Sequence, residues 1–202
     1  MDSNFIKPII TFETKCYEKD WKLLLTTPYL ESQIEACNIR FEKKHLIINN
    51  VDDPNKVRRY ADKAISKGII DSFFFVSDYA DKVLEKYDIK MDSFKGGYVY
   101  SISELTGIYC CTTPYLLHFS GDARMNKNSS SWIPDAIELM ESRNDILAAN
   151  PVWNDRYSEA EAESSFQDDE WYYGVGFSDQ CYLIKKQDLD RPVYGYTHPE
   201  SE

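Results

Sequence analysis

Tyr115-Leu116-Leu117-His118-Phe119-Ser120-Gly121-Asp122 joins five residues of buried-strand character to a turn that ends in a carboxylate. Open α/β sheets bind their ligands outside the carboxyl ends of their strands. An ionisable side chain directly after such a strand therefore occupies a ligand-binding position. Ser120, Gly121 and Ala123 are small and leave room for a bulky group to approach the backbone. A lone carboxylate there suits a metal ion and a phosphate group. The competing reading is a turn aspartate that caps the next segment.

On both sides of this stretch, apolar runs of strand character alternate with segments of helical period. Residues 5–12 read as a first strand, ending in the polar group Thr11, Glu13, Thr14 and Lys15. Residues 21–37 read as one helix. His45-Leu46-Ile47-Ile48-Asn49 is a short strand of the kind buried on both faces. Asp53-Pro54 opens a helix as N-cap and first helical residue, and Gly68 closes it. Val57, Ala61, Ala64 and Ile65 form its apolar face. Phe73-Phe74-Phe75-Val76 is a third strand, followed by a short helix over residues 78–87. After the Gly96-Gly97 turn a helix is expected over residues 101–111. Beyond Asp122, Ser131 caps a helix carrying Ile133, Ile137 and Met140, and residues 146–152 read as a strand. Residues 158–170 are acidic and read as a solvated helix or a mobile loop. Residues 172–184 return to strand composition. This alternation predicts an α/β fold with a mainly parallel central sheet flanked by helices. With no linker and no repeat, residues 1–202 form a single domain.

The 202 residues, 43% of them apolar, are enough for one well-buried core. A net charge of −11 argues against nucleic acid, whose phosphates need clustered Lys and Arg. No apolar run has the length of a membrane span. Met1-Asp2-Ser3-Asn4 lacks the basic and apolar regions of a signal peptide, so a cytoplasmic location is expected. Five cysteines without a CxxC pair point to reduced thiols rather than disulfides or a zinc site. An acidic protein still takes a phosphorylated small molecule when a divalent cation mediates the contact.

In a parallel sheet the strand ends converge on one edge. Thr11 and Glu13 are placed after the first strand, Asn49-Asn50-Val51-Asp52-Asp53 after the second, Ser77-Asp78 after the third and Asp122 after the fourth. Loops after neighbouring parallel strands build one crevice. A nucleotide fits it, with polar groups of the early strands at base and ribose and a metal at Asp122 on a diphosphate. GxGxxG and GxxxxGK[ST] are both missing, which sets aside a dinucleotide fold and a P-loop.

At this point the chain resembles the nucleotide-sugar-dependent glycosyltransferases of GT-A (Rossmann-like) fold. Ile9-Ile10-Thr11-Phe12-Glu13 looks like their opening strand, whose end touches the nucleobase. Ile47-Ile48-Asn49-Asn50-Val51-Asp52-Asp53 looks like the second strand and its nucleoside-binding loop. Leu116-Leu117-His118-Phe119-Ser120-Gly121-Asp122 looks like the strand ending in the Asp-x-Asp metal motif, with Ser120 in place of the first acid. Tyr173-Gly174-Val175-Gly176-Phe177-Ser178-Asp179 is similar to the glycine-rich, acid-terminated segment that supplies the base of inverting members. The resemblance implies a nucleotide-binding half over residues 1–125 and an acceptor and catalytic half over residues 126–202. It implies a UDP-sugar donor, a glycan acceptor and Mn²⁺ or Mg²⁺ held by Asp122, with His198 as a further metal ligand. Thr11, Glu13, Asn49, Asp52, Ser77, Ser120 and Gly121 are then the donor-binding residues, and Asp179 is the base.

The chemistry asks for these residue types. Hard oxygen ligands suit Mg²⁺ or Mn²⁺, which stabilises the charge of a departing diphosphate. Inverting transfer needs a carboxylate to take the acceptor proton. Asp155, Asp168, Asp169 and Glu170 are the rivals of Asp179, although an acidic run is more often a solvated face. His118 reads equally as a core or a site histidine. Arg124 and Arg156 are candidates for the diphosphate or ordinary surface ion-pair partners. Some of Trp132, Trp153, Trp171, Tyr172 and Tyr173 suit sugar stacking, while most are expected in the core. Two other functions stand beside transfer: a sugar nucleotidyltransferase and a non-catalytic carbohydrate- or nucleotide-binding domain.

Overall fold

The computed structural model describes residues 8–94, 96–126 and 132–195. Eight strands and eight α-helices follow one another along these residues. The strands are β1 (Ile10–Cys16), β2 (Lys43–Ile48), β3 (Ser72–Phe75), β4 (Tyr115–Phe119), β5 (Ala148–Ala149), β6 (Phe166–Gln167), β7 (Tyr172–Tyr173) and β8 (Cys181–Lys185). The helices are α1 (Trp21–Thr26), α2 (Tyr29–Ala36), α3 (Pro54–Ser66), α4 (Ala80–Tyr87), α5 (Tyr98–Cys110), α6 (Trp132–Ser142), α7 (Tyr157–Glu163) and α8 (Lys186–Leu189).

Six strands form the central sheet in the order β3-β2-β1-β4-β8-β5, and β6 and β7 form a separate hairpin. β3, β2, β1 and β4 are mutually parallel, while β8 runs antiparallel to β4 and β5. The register levels the strand ends. Cys16 pairs with Ile48 and Ile48 with Phe75, while Phe119 lies beside Thr14 on one flank and Cys181 on the other. The carboxyl ends of four strands and the amino end of β8 thus share one edge.

Alternation along the strands splits the core in two. Phe12, Leu46, Ile48, Leu117, Phe119 and Leu183 face one layer with buried residues of α1, α2, α3 and α6. Ile47, Leu116, Tyr182 and Ile184 face the other, packed against α4 and α5. Each such buried aliphatic or aromatic side chain contributes about 1.5–3 kcal/mol relative to exposure.

α3 begins as its sequence predicts: Asp53 caps it by accepting from Lys56 N at 2.9 Å, with Pro54 in the first turn. The expected helix over residues 21–37 is two helices instead. Pro28 offers no N–H and holds the preceding Thr27 in an extended conformation, which breaks the ladder. The strand expected over residues 146–152 is reduced to two residues, because the Asn150 side chain turns to the carbonyls of Ser178 and Cys181 and Pro151 cannot donate to a ladder. Residues 172–184 hold two strands, β7 and β8, separated by an exposed glycine-containing loop. Residues 157–163 form the exposed helix α7. Ser131 lies outside the described residues. Among the described residues no helix is long and apolar enough to cross a membrane.

Candidate functional site

β1 runs four residues further than its sequence suggests, and this corrects two site assignments. Thr11 and Glu13 do not follow the strand. They lie within it at 0% exposure, closed off from any ligand at the sheet edge. Polar residues inside a buried strand require partners, and both have them from distant segments. Thr11 Oγ1 meets Thr113 Oγ1 at 2.7 Å. Glu13 Oε2 accepts from Lys15 Nζ at 3.0 Å and lies 2.8 Å from His118 Nδ1. Gly107 of α5 gives this carboxylate room, since a Cβ there would stand 3.1 Å from Glu13 Oε2. Burial alone would raise the Glu13 pKa, but the charges of Lys15 and His118 outweigh it and lower the value from 4.5 to about 2. Lys15 also reaches Glu104 Oε2 at 2.9 Å. Burial opposes its charge, yet Glu104 and Glu13 prevail and raise its pKa. His118 is a partner in this buried network under the sheet edge.

The edge itself carries the remaining residues. After β2 and β3 a crevice of about 300 Å³ opens between Ile48, Asn49, Val51, Phe75, Ser77 and the first turns of α5. Asn49 donates from Nδ2 to Val99 O at 2.7 Å, which ties the start of α5 to the end of β2. Ser77 is exposed at the crevice rim, its Oγ 3.4 Å from Asp78 Oδ1. Asp52 is exposed, and its backbone N–H donates to Glu18 Oε2 at 2.8 Å, linking the loops after β1 and β2.

After β4, Ser120 Oγ lies 2.9 Å from Asp122 Oδ1 and 3.0 Å from Gln180 Oε1. Asp122 is exposed, whereas Gly121 is buried against the end of β1. A Cβ on Gly121 would stand 2.8 Å from Lys15 O and 3.4 Å from Asp20 Oδ2, so glycine is required there by the close approach of two chain segments. Asp20 is the acidic residue that the sequence pattern did not single out. Its Oδ1 accepts from Tyr17 N at 2.5 Å. Partial burial raises its pKa, the backbone N–H groups of Tyr17 and Asp20 oppose the rise, and the charge of nearby Asp122 adds to it. The segments after the adjacent strands β1 and β4 therefore bring two acidic residues, Asp20 and Asp122, into one neighbourhood.

Asp179 joins the same edge. Ser120 N donates to Gln180 O at 2.8 Å, and Asn150 Nδ2 binds Ser178 O at 2.9 Å, so both neighbours of the exposed Asp179 are anchored. Arg156 pairs with Glu159 on the surface at 3.1 Å, and Arg124 lies over the Tyr29 ring at 4.6 Å. Among the candidate bases, Asp168 accepts from the Tyr173 hydroxyl and two backbone N–H groups of its own hairpin. His198 lies outside the described residues. Among the described residues no group of three or more His, Cys, Asp or Glu side chains is placed to hold a metal ion. Asp20 and Asp122 alone still fit the habit of Mg²⁺ and Mn²⁺, which take one or two carboxylates and complete their shell with phosphate and water oxygens.

No protein-family profile and no curated protein sequence matches the chain. Solved structures do. The mannosyltransferase PcManGT from Pyrobaculum calidifontis, in complex with GDP-Man and Mn²⁺, is similar over 92% of this chain at 13% identity, with a TM-score of 0.50. The match takes in 47% of that enzyme, so the chain spans about half its length. Mouse xyloside xylosyltransferase 1 is similar at 14% identity over 92% of this chain and 70% of its own, with a TM-score of 0.48. The fold is of the GT-A kind.

Proposed function

We propose that this protein is a metal-dependent glycosyltransferase that moves a sugar from a nucleoside diphosphate, a UDP-sugar in the first instance, to a hydroxyl of a glycan. One observation carries the reading: the Asn49–Ser77 crevice, the Asp20–Asp122 pair and Asp179 lie along one edge of a GT-A sheet. The crevice suits a nucleobase and ribose, with Asn49 and Ser77 as polar contacts beside the apolar Ile48 and Phe75. Ser120 and Gly121 bring the backbone of the β4 turn to the diphosphate, and Asp52 borders the loop after β2.

Asp122, with Asp20 and in our reading His198, holds Mn²⁺ or Mg²⁺. Such an ion supplies Lewis-acid stabilisation of the diphosphate leaving group. Asp179 accepts the proton of the acceptor hydroxyl while the hydroxyl oxygen bonds to the anomeric carbon. The bond from that carbon to the diphosphate oxygen breaks, and its electron pair leaves with the diphosphate. Attack from the side opposite the leaving group inverts the anomeric centre.

Diphosphate release from a panel of UDP- and GDP-sugars with Mn²⁺, in the presence of candidate glycans, tests this reading. The intact protein should release the diphosphate of one donor. Asp179→Ala should bind that donor normally and lose at least about 100-fold in rate, the scale of a general base. Full activity in Asp179→Ala refutes its role as base. Donor binding without any release by the intact protein favours the binding-domain alternative, which the serine at position 120 makes worth testing.

A further inference from the structure

Glu104 is the only charged residue of α5, in the otherwise uncharged run Tyr98–Cys110. Its Oε2 is fixed twice, by Lys15 Nζ at 2.9 Å and by the Tyr182 hydroxyl at 2.5 Å. Lys15 is in turn locked from behind by Glu13, so the carboxylate rests on a buried and immobile cation. Its side chain is 29% exposed.

The surroundings are those of a sugar-binding position. Phe177, 56% exposed and two residues before Asp179, packs on Tyr182 with ring centroids 5.0 Å apart. On the other side Tyr17 packs on Tyr100, itself 68% exposed, at 5.7 Å, and the Tyr17 hydroxyl meets Ser103 Oγ at 2.7 Å. Exposed aromatic faces around an oriented carboxylate match the two surfaces of a sugar, apolar C–H patches and hydroxyl donors. Val99 and Ile102 of the same helix line the nucleotide crevice. Glu104 stands five residues beyond Val99, about 7.5 Å along the helix axis. Its partners Lys15 and Tyr182 belong to β1 and β8, which places it between the crevice after β2 and β3 and the loop that leads into β8.

We infer that Glu104 accepts a hydrogen bond from a hydroxyl of the transferred sugar, with Lys15 and Tyr182 as the residues that position it. The inference rests on the nucleotide-sugar reading above and deepens it by assigning the residue that distinguishes a sugar-bearing donor from the bare diphosphate. Titration calorimetry with Mn²⁺ separates the two claims. The intact protein is titrated with UDP, GDP, UDP-glucose, UDP-galactose and GDP-mannose, and the affinity of each sugar donor is compared with that of its own diphosphate. If none of these binds the intact protein, the nucleotide-sugar reading itself fails. Where one binds, Glu104→Gln should leave diphosphate affinity within about twofold. It should weaken the sugar donor by about 10- to 100-fold, the value of a hydrogen bond to a charged group. Equal donor affinity in Glu104→Gln and the intact protein overturns the inference. Should that variant not fold, Tyr182→Phe keeps the ring and removes one of the two holds on Oε2. It should show the same selective loss in smaller measure, and unchanged donor affinity there overturns the inference equally.

Discussion

Replacing Glu13 by glutamine preserves the volume of the side chain and removes its charge. Lys15 then keeps only Glu104 as an anionic partner, and His118 loses the carboxylate 2.8 Å from its Nδ1. Two routes give the cost. Removing one partner of a buried ion pair typically costs about 3–5 kcal/mol. The lowering of the Glu13 pKa from 4.5 to about 2 corresponds to roughly 3 kcal/mol of folding free energy at about 1.4 kcal/mol per unit. For a domain of this size that is a fall in Tm of about 6–12 °C. The sign with pH follows from the direction of the shift. A carboxyl whose folded pKa lies below its unfolded value stabilises the fold above the unfolded pKa, and this contribution disappears as pH falls from 4.5 towards 2. Calorimetric or circular-dichroism melts at pH 7 and at intervals down to pH 3 measure both effects. Glu13→Gln should melt lower at pH 7 and lose less further stability on acidification than the intact protein. A Tm change under about 2 °C with an unaltered acid limb would refute the buried-network assignment.

Two further substitutions probe the sheet edge from its structural side. Gly121→Ala places a Cβ 2.8 Å from a backbone oxygen, so the β1 and β4 ends must separate. Urea denaturation should show a loss of about 1–3 kcal/mol, as for overpacked sites. Asp53→Ala removes the cap of α3 and should cost about 1 kcal/mol in the same assay, with donor binding intact.

The sequence carried the architecture well where a segment's fate is settled by its own residues. The uniformly apolar β2 and β4, and α3 with its Asp53-Pro54 start, were legible for that reason. β1 was cut short because Thr11, Glu13 and Lys15 resemble a strand end in a linear reading. Their partners Thr113, His118 and Glu104 lie about a hundred residues away, and only the assembled fold shows that each of the three has one. Asn49, Ser77 and Asp122 are legible by position relative to strand ends and Asp179 by its glycine-rich segment, and the register does bring those strand ends to one edge. Asp20, four residues past the end of β1, carries no strand-end signal in a linear reading that closes this strand at residue 12. Glu104 did leave a sequence signal, a lone charge in an uncharged helix, but no local pattern shows that it meets Lys15 and Tyr182.

In the proposed site Asp122 anchors a metal-mediated nucleotide complex at this edge. Titration of nucleoside diphosphates into the intact protein and into Asp122→Ala, each with and without Mn²⁺, tests it most directly. Binding should require Mn²⁺ in the intact protein and vanish in Asp122→Ala, whose Tm should stay within about 1 °C because the residue is exposed. Metal-independent binding, or full binding by Asp122→Ala, would exclude Asp122 as the metal anchor.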